Sequence, residues 1–292
     1  MKTNSTEWLR LKILTAEIEA KIQHDIIANV LQQKFDLTIR HLIDILQELY
    51  ANIPDSKRIS FGRVYTIQVS SRYLFSNLVK ANAPVFEIGS TMFKKSNDPR
   101  AKGVSLGILS LCGIENRKKV LPFFKSSASS PDWNMREYAQ MFFRRLIREK
   151  PRETKEFLLK LARSKDPNIR RFVSETLRPV RENKWFHRNP DYPLSILRHL
   201  FKESSEYPRT SVGNNLSDLA RHHPALVFGL VKELVENGNR NSYWIAYRAC
   251  RNLVKKEPIK VMNLLQVDEY RYKKKVYKRS DYSGNPSKIN PA

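Results

Sequence analysis

Glycine is scarce in this 292-residue chain, and its 9 glycines form neither a G-x-G-x-x-G nor a G-x-x-x-x-G-K-[ST] run. A dinucleotide fold and a P-loop are therefore not signalled. Cysteine is scarcer still: Cys112 and Cys250 stand far apart within apolar helical patterns. They read as buried free thiols in a reducing cytoplasm, with no disulfide framework. No stretch approaches about 18 uninterrupted apolar residues, and the amino-terminal MKTNSTEWLRLK has no apolar leader core, so neither a membrane span nor secretion is expected. Alternating apolar and polar runs are missing too, and no strand is expected. The six histidines (24, 41, 187, 199, 222 and 223) show no metal-ligand spacing, and His222-His223 reads as a helix end.

Acidic residues are in short supply. The chain has 53 Lys and Arg against 29 Asp and Glu, a formal charge of +24, which calls for a polyanionic partner. The excess is uneven: residues 1–50 carry 6 basic and 7 acidic groups, whereas residues 101–200 carry 22 and 10. From Asp268 onward 7 basic and 3 acidic residues remain, so the tail supplies only +4 of the +24. That tail mixes Lys, Tyr, Pro and Ser without a helical apolar stripe and is expected to be disordered until it meets a partner.

Apolar residues elsewhere recur three and four apart, the spacing of helices. The runs Leu42–Tyr50 and Phe61–Val79 read as amino-terminal helices, and thereafter helix starts repeat. Aligning Asp98, Asp132, Asp166, Ser205 and Asn239 gives steps of 34, 34, 39 and 34 residues. Seven residues after each start comes Ser105, Ala139, Val173, Val212 or Ala246, and eleven after it Leu109, Phe143, Leu177, Leu216 or Cys250. Each start is a capping type, and Pro99 and Pro167 sit at the first helical position, where a missing N–H costs nothing. Such a period predicts an all-α fold, an α-solenoid of HEAT-like helical repeats. It comprises an amino-terminal helical region at 1–84, a repeat region at 85–267 continuous with it, and the tail at 268–292.

Three carboxylates step across successive repeats. Glu137, Glu175 and Asp218 stand five, nine and thirteen residues after their helix starts, one turn apart, on nearly the same helical face. Arg136, Arg170, Arg171, Arg178 and Arg209 share that neighbourhood, with Trp133 one turn before Glu137. Carboxylates among arginines suit a reaction centre better than a passive phosphate-binding surface. Ion pairing is the alternative: Glu175 with Arg171 or Arg178, and Glu137 with Arg136. Trp133 at a helix start reads more readily as a packing residue than as a ligand contact. Asn214-Asn215 disfavours helix, and at least one of these amides should point inward or toward a ligand.

DPNIRRFVSETLRP (166–179), SEYPRTSVGNNLSDLARHHP (205–224) and YWIAYRACRNLVKK (243–256) resemble, in that order, three linked motifs of the AlkC branch of the AlkC/AlkD-type DNA glycosylases. The resemblance extends through the repeats over residues 85–265. It implies hydrolysis of the N-glycosidic bond of alkylated bases, 3-methyladenine and 3-methylcytosine being typical, without flipping the lesion into a pocket. The W-x-x-x-acid element matches Trp133 and Glu137. R-x-x-S-E matches Arg171, Ser174 and Glu175, and N-x-L-x-D matches Asn214, Leu216 and Asp218. Pro208 replaces the usual Val and Thr210 a basic residue, while the rewritten VRENKW leaves Trp185 as the counterpart of a family tryptophan.

On this resemblance Glu137, Glu175 and Asp218 are catalytic, Trp133, Trp185 and Asn214 contact the lesion, and the five arginines bind phosphates. No cofactor and no metal are implied. The expected partner is double-stranded DNA with alkylated bases, met by a monomer in the cytoplasm at the nucleoid, with no membrane involved. The carboxy-terminal immunoglobulin-like domain of some members has no room in the tail. A non-catalytic HEAT-repeat protein binding branched or distorted DNA is the alternative.

Overall fold

The computed structural model describes residues 13–58, 62–115 and 117–282. The amino-terminal stretch read for a leader and the last ten residues of the basic tail lie outside them. The protein is 74% helical, and it divides into two compact units, Met1–Glu149 and Lys150–Ala292.

In the first unit Ala16–Lys21 runs through a π-helical stretch, Ile22–Ile27, into Ala28–Leu31. Phe35–Ala51, Asp55–Arg58, Arg63–Lys80, Val85–Lys95, Pro99–Cys112, Arg117–Ala128 and Trp133–Glu149 follow. The boundary expected at residue 84 falls inside this unit. Helices from either side of it meet closely at Gly107, where a Cβ would come within 2.5 Å of the Ser71 Cβ and 2.7 Å of the Phe142 Cζ. Only glycine admits that approach.

The second unit holds Pro151–Ala162, Pro167–Thr176, a 3₁₀ stretch Arg181–His187, Asp191–Leu197, Glu206–Leu219, Pro224–Glu236, Arg240–Ala249 and Pro258–Leu265. Every repeated helix start is observed, and local chemistry explains most of them. Asp98, Asp132, Asp166 and Asn239 accept from the main-chain N–H two residues on, at 2.7, 2.7, 2.8 and 2.9 Å, satisfying donors the helix leaves open. Ser205 is the exception. Its hydroxyl makes no cap, and Glu203 instead accepts from its N–H at 2.8 Å.

The repeat positions form the core. Ser105, Ala139, Val173, Val212 and Ala246, and likewise Leu109, Phe143, Leu177, Leu216 and Cys250, are all 0% exposed. Period and burial therefore coincide, as they must when each helix packs on its sequence neighbours. Cys250 is buried and Cys112 half-buried, both free, and desolvation pushes their thiols up to about 12 and about 11.

Two expectations about the tail are corrected. Residues from Asp268 to Tyr282 are ordered, and they contain strands: Glu269–Tyr272 pairs antiparallel with Lys275–Lys278, followed by a 3₁₀ turn, Arg279–Tyr282. Each strand is four residues long, too short for alternation to stand out, yet Tyr270 and its cross-strand partner Tyr277 point inward at 0% and 3% exposure. Tyr270 stacks on Tyr247 with ring centroids 4.4 Å apart and donates its hydroxyl to the Tyr247 carbonyl at 2.8 Å. An existing aromatic helix face thus supplies the apolar surface that the tail lacks by itself.

Candidate active site

Two of the three acids meet. Glu175 near the end of Pro167–Thr176 and Asp218 near the end of Glu206–Leu219 come from adjacent repeats, and Arg178 lies between them. The Arg178 Nη1 is 3.2 Å from Glu175 Oε2, while its Nε and Nη2 donate to Asp218 Oδ2 at 3.1 and 2.6 Å. Burial alone would lower the basicity of this guanidinium, but the two carboxylates outweigh it and hold Arg178 above its ordinary value. Arg171 stands 3.9 Å from Glu175, and Arg221 3.6 Å from Asp218. The ion-pair alternative for Glu175 is therefore real in geometry, with Arg178 the nearer partner.

Neighbouring side chains lock this group. Glu175, 5% exposed, accepts from the Ser211 hydroxyl. Asn215 is the inward-pointing amide of the pair and donates to the Ser174 carbonyl at 2.9 Å. Asn183, wholly buried, donates to the carbonyls of Thr176 and Arg178 at 2.8 and 3.0 Å, fixing the turn that carries Arg178. Side chains held this way present a preformed charge pattern. Sequence reasoning missed Ser211 and Asn183, although Ser211 lies within the second quoted motif.

Asn214 faces the other way. Its Oδ1 accepts from Arg248 Nε at 2.9 Å and Arg251 Nη1 at 2.6 Å, so it braces two cations of the third motif. In the first unit, Trp133 is 57% exposed at a helix start, more open than a packed tryptophan. Glu137, one turn on and half-buried, accepts from the Gln140 amide. Trp185 is half-buried in an aromatic group, 4.5 Å from the Phe186 centroid and 5.1 Å from that of Tyr192.

The arginines divide into two sets. Arg136, Arg170 and Arg209 each stand four residues after a helix start and reach back to the loop before it. Arg136 donates to the Ser130 and Pro131 carbonyls at 2.7 and 2.8 Å, Arg170 to those of Ser164 and Lys165 at 2.7 and 2.9 Å, and Arg209 to that of Ser204 at 3.3 Å. These are loop fasteners, serving carbonyls that no helix satisfies. Arg170 is further committed to Glu203, at 2.6 and 2.9 Å, which removes it as a phosphate ligand. Arg171 lies over the Tyr207 ring at 4.5 Å, and Arg209 over Trp244 at 4.9 Å.

His223 stands at the start of the Pro224–Glu236 helix but its side chain makes no cap hydrogen bond; its Nε2 lies 2.7 Å from the His187 carbonyl, and the His187 and His222 rings are 3.7 Å apart. Burial, then His222, His223 and Lys184, hold His187 below its ordinary value of 6.5. Folding therefore opposes its protonation, and the stability this contributes is complete above about pH 6.5 and declines as pH falls below it. Thermal midpoints should drop between pH 7 and 5, and drop less in His187→Gln; identical pH profiles would refute this. Among the described residues no group of three or more His, Cys, Asp or Glu is placed to hold a metal ion, and no helix is long and apolar enough to cross a membrane.

No protein-family model matches the chain. The uncharacterised protein YhaZ of Bacillus subtilis (strain 168) is 32% identical over 105 residues, 34% of this chain and 29% of that relative, so the match spans under a third of its length. Three solved structures are similar. AlkD2 from Streptococcus mutans superimposes with a TM-score of 0.52 at 17% identity, covering 70% of this chain and 98% of that one. Smu.31 from Streptococcus mutans UA159 gives 0.50 at 18%, over 63% and 98%. The Pseudomonas fluorescens alkylpurine DNA glycosylase AlkC, bound to DNA containing an abasic site analog, gives 0.50 at 20%, over 92% and 70%. The likeness establishes the fold: this chain has the helical-repeat fold of AlkC and AlkD2, in agreement with the family resemblance of its three motifs.

Proposed function

We propose that this protein is an AlkC/AlkD-type DNA glycosylase that releases cationic alkylated bases, such as 3-methyladenine or 3-methylcytosine, from double-stranded DNA, acting as a monomer in the cytoplasm at the nucleoid. The observation that carries the reading is the meeting of Glu175 and Asp218 from adjacent repeats in a chain of net charge +24. Two carboxylates in so basic a protein repel the DNA backbone unless they face something positive. A ring-methylated base is positive, and so is the sugar as the base departs.

The chemistry asks little more. The C1′–N bond breaks with its electron pair passing to the cationic base, which leaves neutral. A water oxygen bonds to C1′, and the proton it sheds goes to a carboxylate. Asp218 supplies negative field and holds the water, and Glu175 stabilises the cationic base or sugar; Glu137 and Trp133, on the first unit, keep the catalytic and lesion-contacting roles that the resemblance gives them. Arg171, with Arg136 and Arg209 beyond their loop contacts, grips the flanking phosphates, while Arg178 stays with its two carboxylates.

Arg178 favours a second reading, because it already neutralises both acids: a non-catalytic protein binding branched or distorted DNA. Chromatography of free base released from methylated duplex DNA separates the two. Release above the spontaneous rate is expected; binding without release assigns the second role.

A further inference from the structure

The hairpin that orders the tail also builds a cleft. It closes about 220 Å³ against the Arg240–Ala249 helix, between Trp244, Tyr247 and Arg248 on one side and Tyr272 and Lys273 on the other, with Arg251 and Arg271. No acid lines it. Arg251, Lys273 and Lys255 all converge on the Tyr272 ring, at 5.0, 5.6 and 5.8 Å from its centroid. Arg248 and Arg209 share the Trp244 ring, at 5.3 and 4.9 Å. Burial, and after it the neighbouring Arg251, hold Arg248 below its ordinary basicity.

The docking of the hairpin is specific. The Arg271 N–H donates to the Tyr247 hydroxyl at 2.8 Å, and that hydroxyl donates to the Arg271 carbonyl at 3.2 Å. At the tip Lys273 adopts φ 56°, a left-handed conformation that glycine or asparagine takes at lower cost. A lysine at a position that favours glycine puts charge at the mouth of the cleft at the expense of the turn. Glu269 pairs with Arg271 at the edge of the cleft, which leaves Arg248, Arg251, Lys255 and Lys273 crowded around aromatic rings in excess of the nearby carboxylates. An anion relieves that excess, and the net charge of the chain makes a polyanion the natural one.

We infer that the cleft between the Glu269–Lys278 hairpin and the Arg240–Ala249 helix binds a backbone phosphodiester of DNA, with the Tyr272 ring ordering the cations that hold it. The inference rests on DNA being the partner of the proposed glycosylase, but not on base release. It turns the carboxy-terminal segment from a loose basic tail into a second, preformed contact. Arg251 connects it to Asn214, and through the Glu206–Leu219 helix to Asp218.

The test is the affinity of the full chain for unmodified duplex DNA, measured by fluorescence anisotropy across a salt series. Lys273→Gly removes a charge while suiting the turn, so the fold should hold. The Kd should rise about threefold to tenfold, and the log–log salt slope should become shallower by about one. Tyr272→Leu keeps the charge and should raise the Kd about twofold to fivefold with the slope unchanged. Lys232→Ala, in the same unit and outside the cleft, should stay within about twofold of wild type. If Lys273→Gly and Tyr272→Leu, shown folded by circular dichroism, bind like Lys232→Ala, the cleft is not a DNA site. Base release is scored separately. A wild-type protein that binds through the cleft but frees no base supports the inference and overturns the glycosylase reading, whereas no DNA affinity overturns both.

Discussion

Asp218→Asn and Glu137→Gln should each lower the rate of cationic base release by at least about 100-fold, the scale on which a positioned charge at a reacting centre acts. Duplex binding should be retained or tightened, because each change removes a negative charge that repels phosphate. The asparagine still offers an oxygen to Arg178, which now donates to Asp218 at 2.6 Å, so the folded state should survive. Single-turnover release from methylated DNA, with binding to an abasic duplex in parallel, reads both effects. If these acids serve only as ion-pair partners, release continues at the wild-type rate and only stability shifts, by about 0.3–1 kcal/mol. That result would move the protein to the DNA-binding reading.

Glu203→Ala should cost the second unit about 3–5 kcal/mol, as much as truncating a large core side chain. Glu203 is 3% exposed in its pair with Arg170, itself 16% exposed. Removing it strands a guanidinium with little water and uncaps the Glu206–Leu219 helix, where Glu203 accepts from the Ser205 N–H. Urea unfolding should show the loss, with a thermal midpoint roughly 10 °C lower. Replacing Arg170 and Glu203 together by methionine should recover part of it, since two apolar groups leave no stranded charge, although the Ser164 and Lys165 carbonyls and the Ser205 N–H lose their partners. A single substitution as mild as the double one would show that the pair is not what fastens these repeats.

The pairing of Arg170 with Glu203 illustrates how a phosphate-binding expectation fails. In sequence, Arg170 and Arg171 are adjacent members of one basic motif and look equivalent. Folding turns one toward a buried carboxylate 33 residues on and lays the other over the Tyr207 ring. Helical rotation separates neighbours by about 100°, so adjacent residues enter different environments.

Sequence alone determined the repeat. Capping residues at Asp98, Asp132, Asp166 and Asn239 act within a turn of themselves, and the residues seven and eleven positions later are buried because a helix returns the same face at those intervals. The placement of Glu175 and Asp218 on matching faces was legible for the same reason. Tertiary structure alone decided that Arg178, readable in sequence as a partner of Glu175, also reaches Asp218 across 40 residues of chain, and that Asn214 holds Arg248 and Arg251. It also decided the hairpin, whose four-residue strands carry no readable period and are ordered by Tyr247, more than twenty residues upstream. Local hydrogen bonds and helical periodicity are written in consecutive residues. Which cation meets which carboxylate, and which aromatic face receives a weak strand, depends on how the repeats stack.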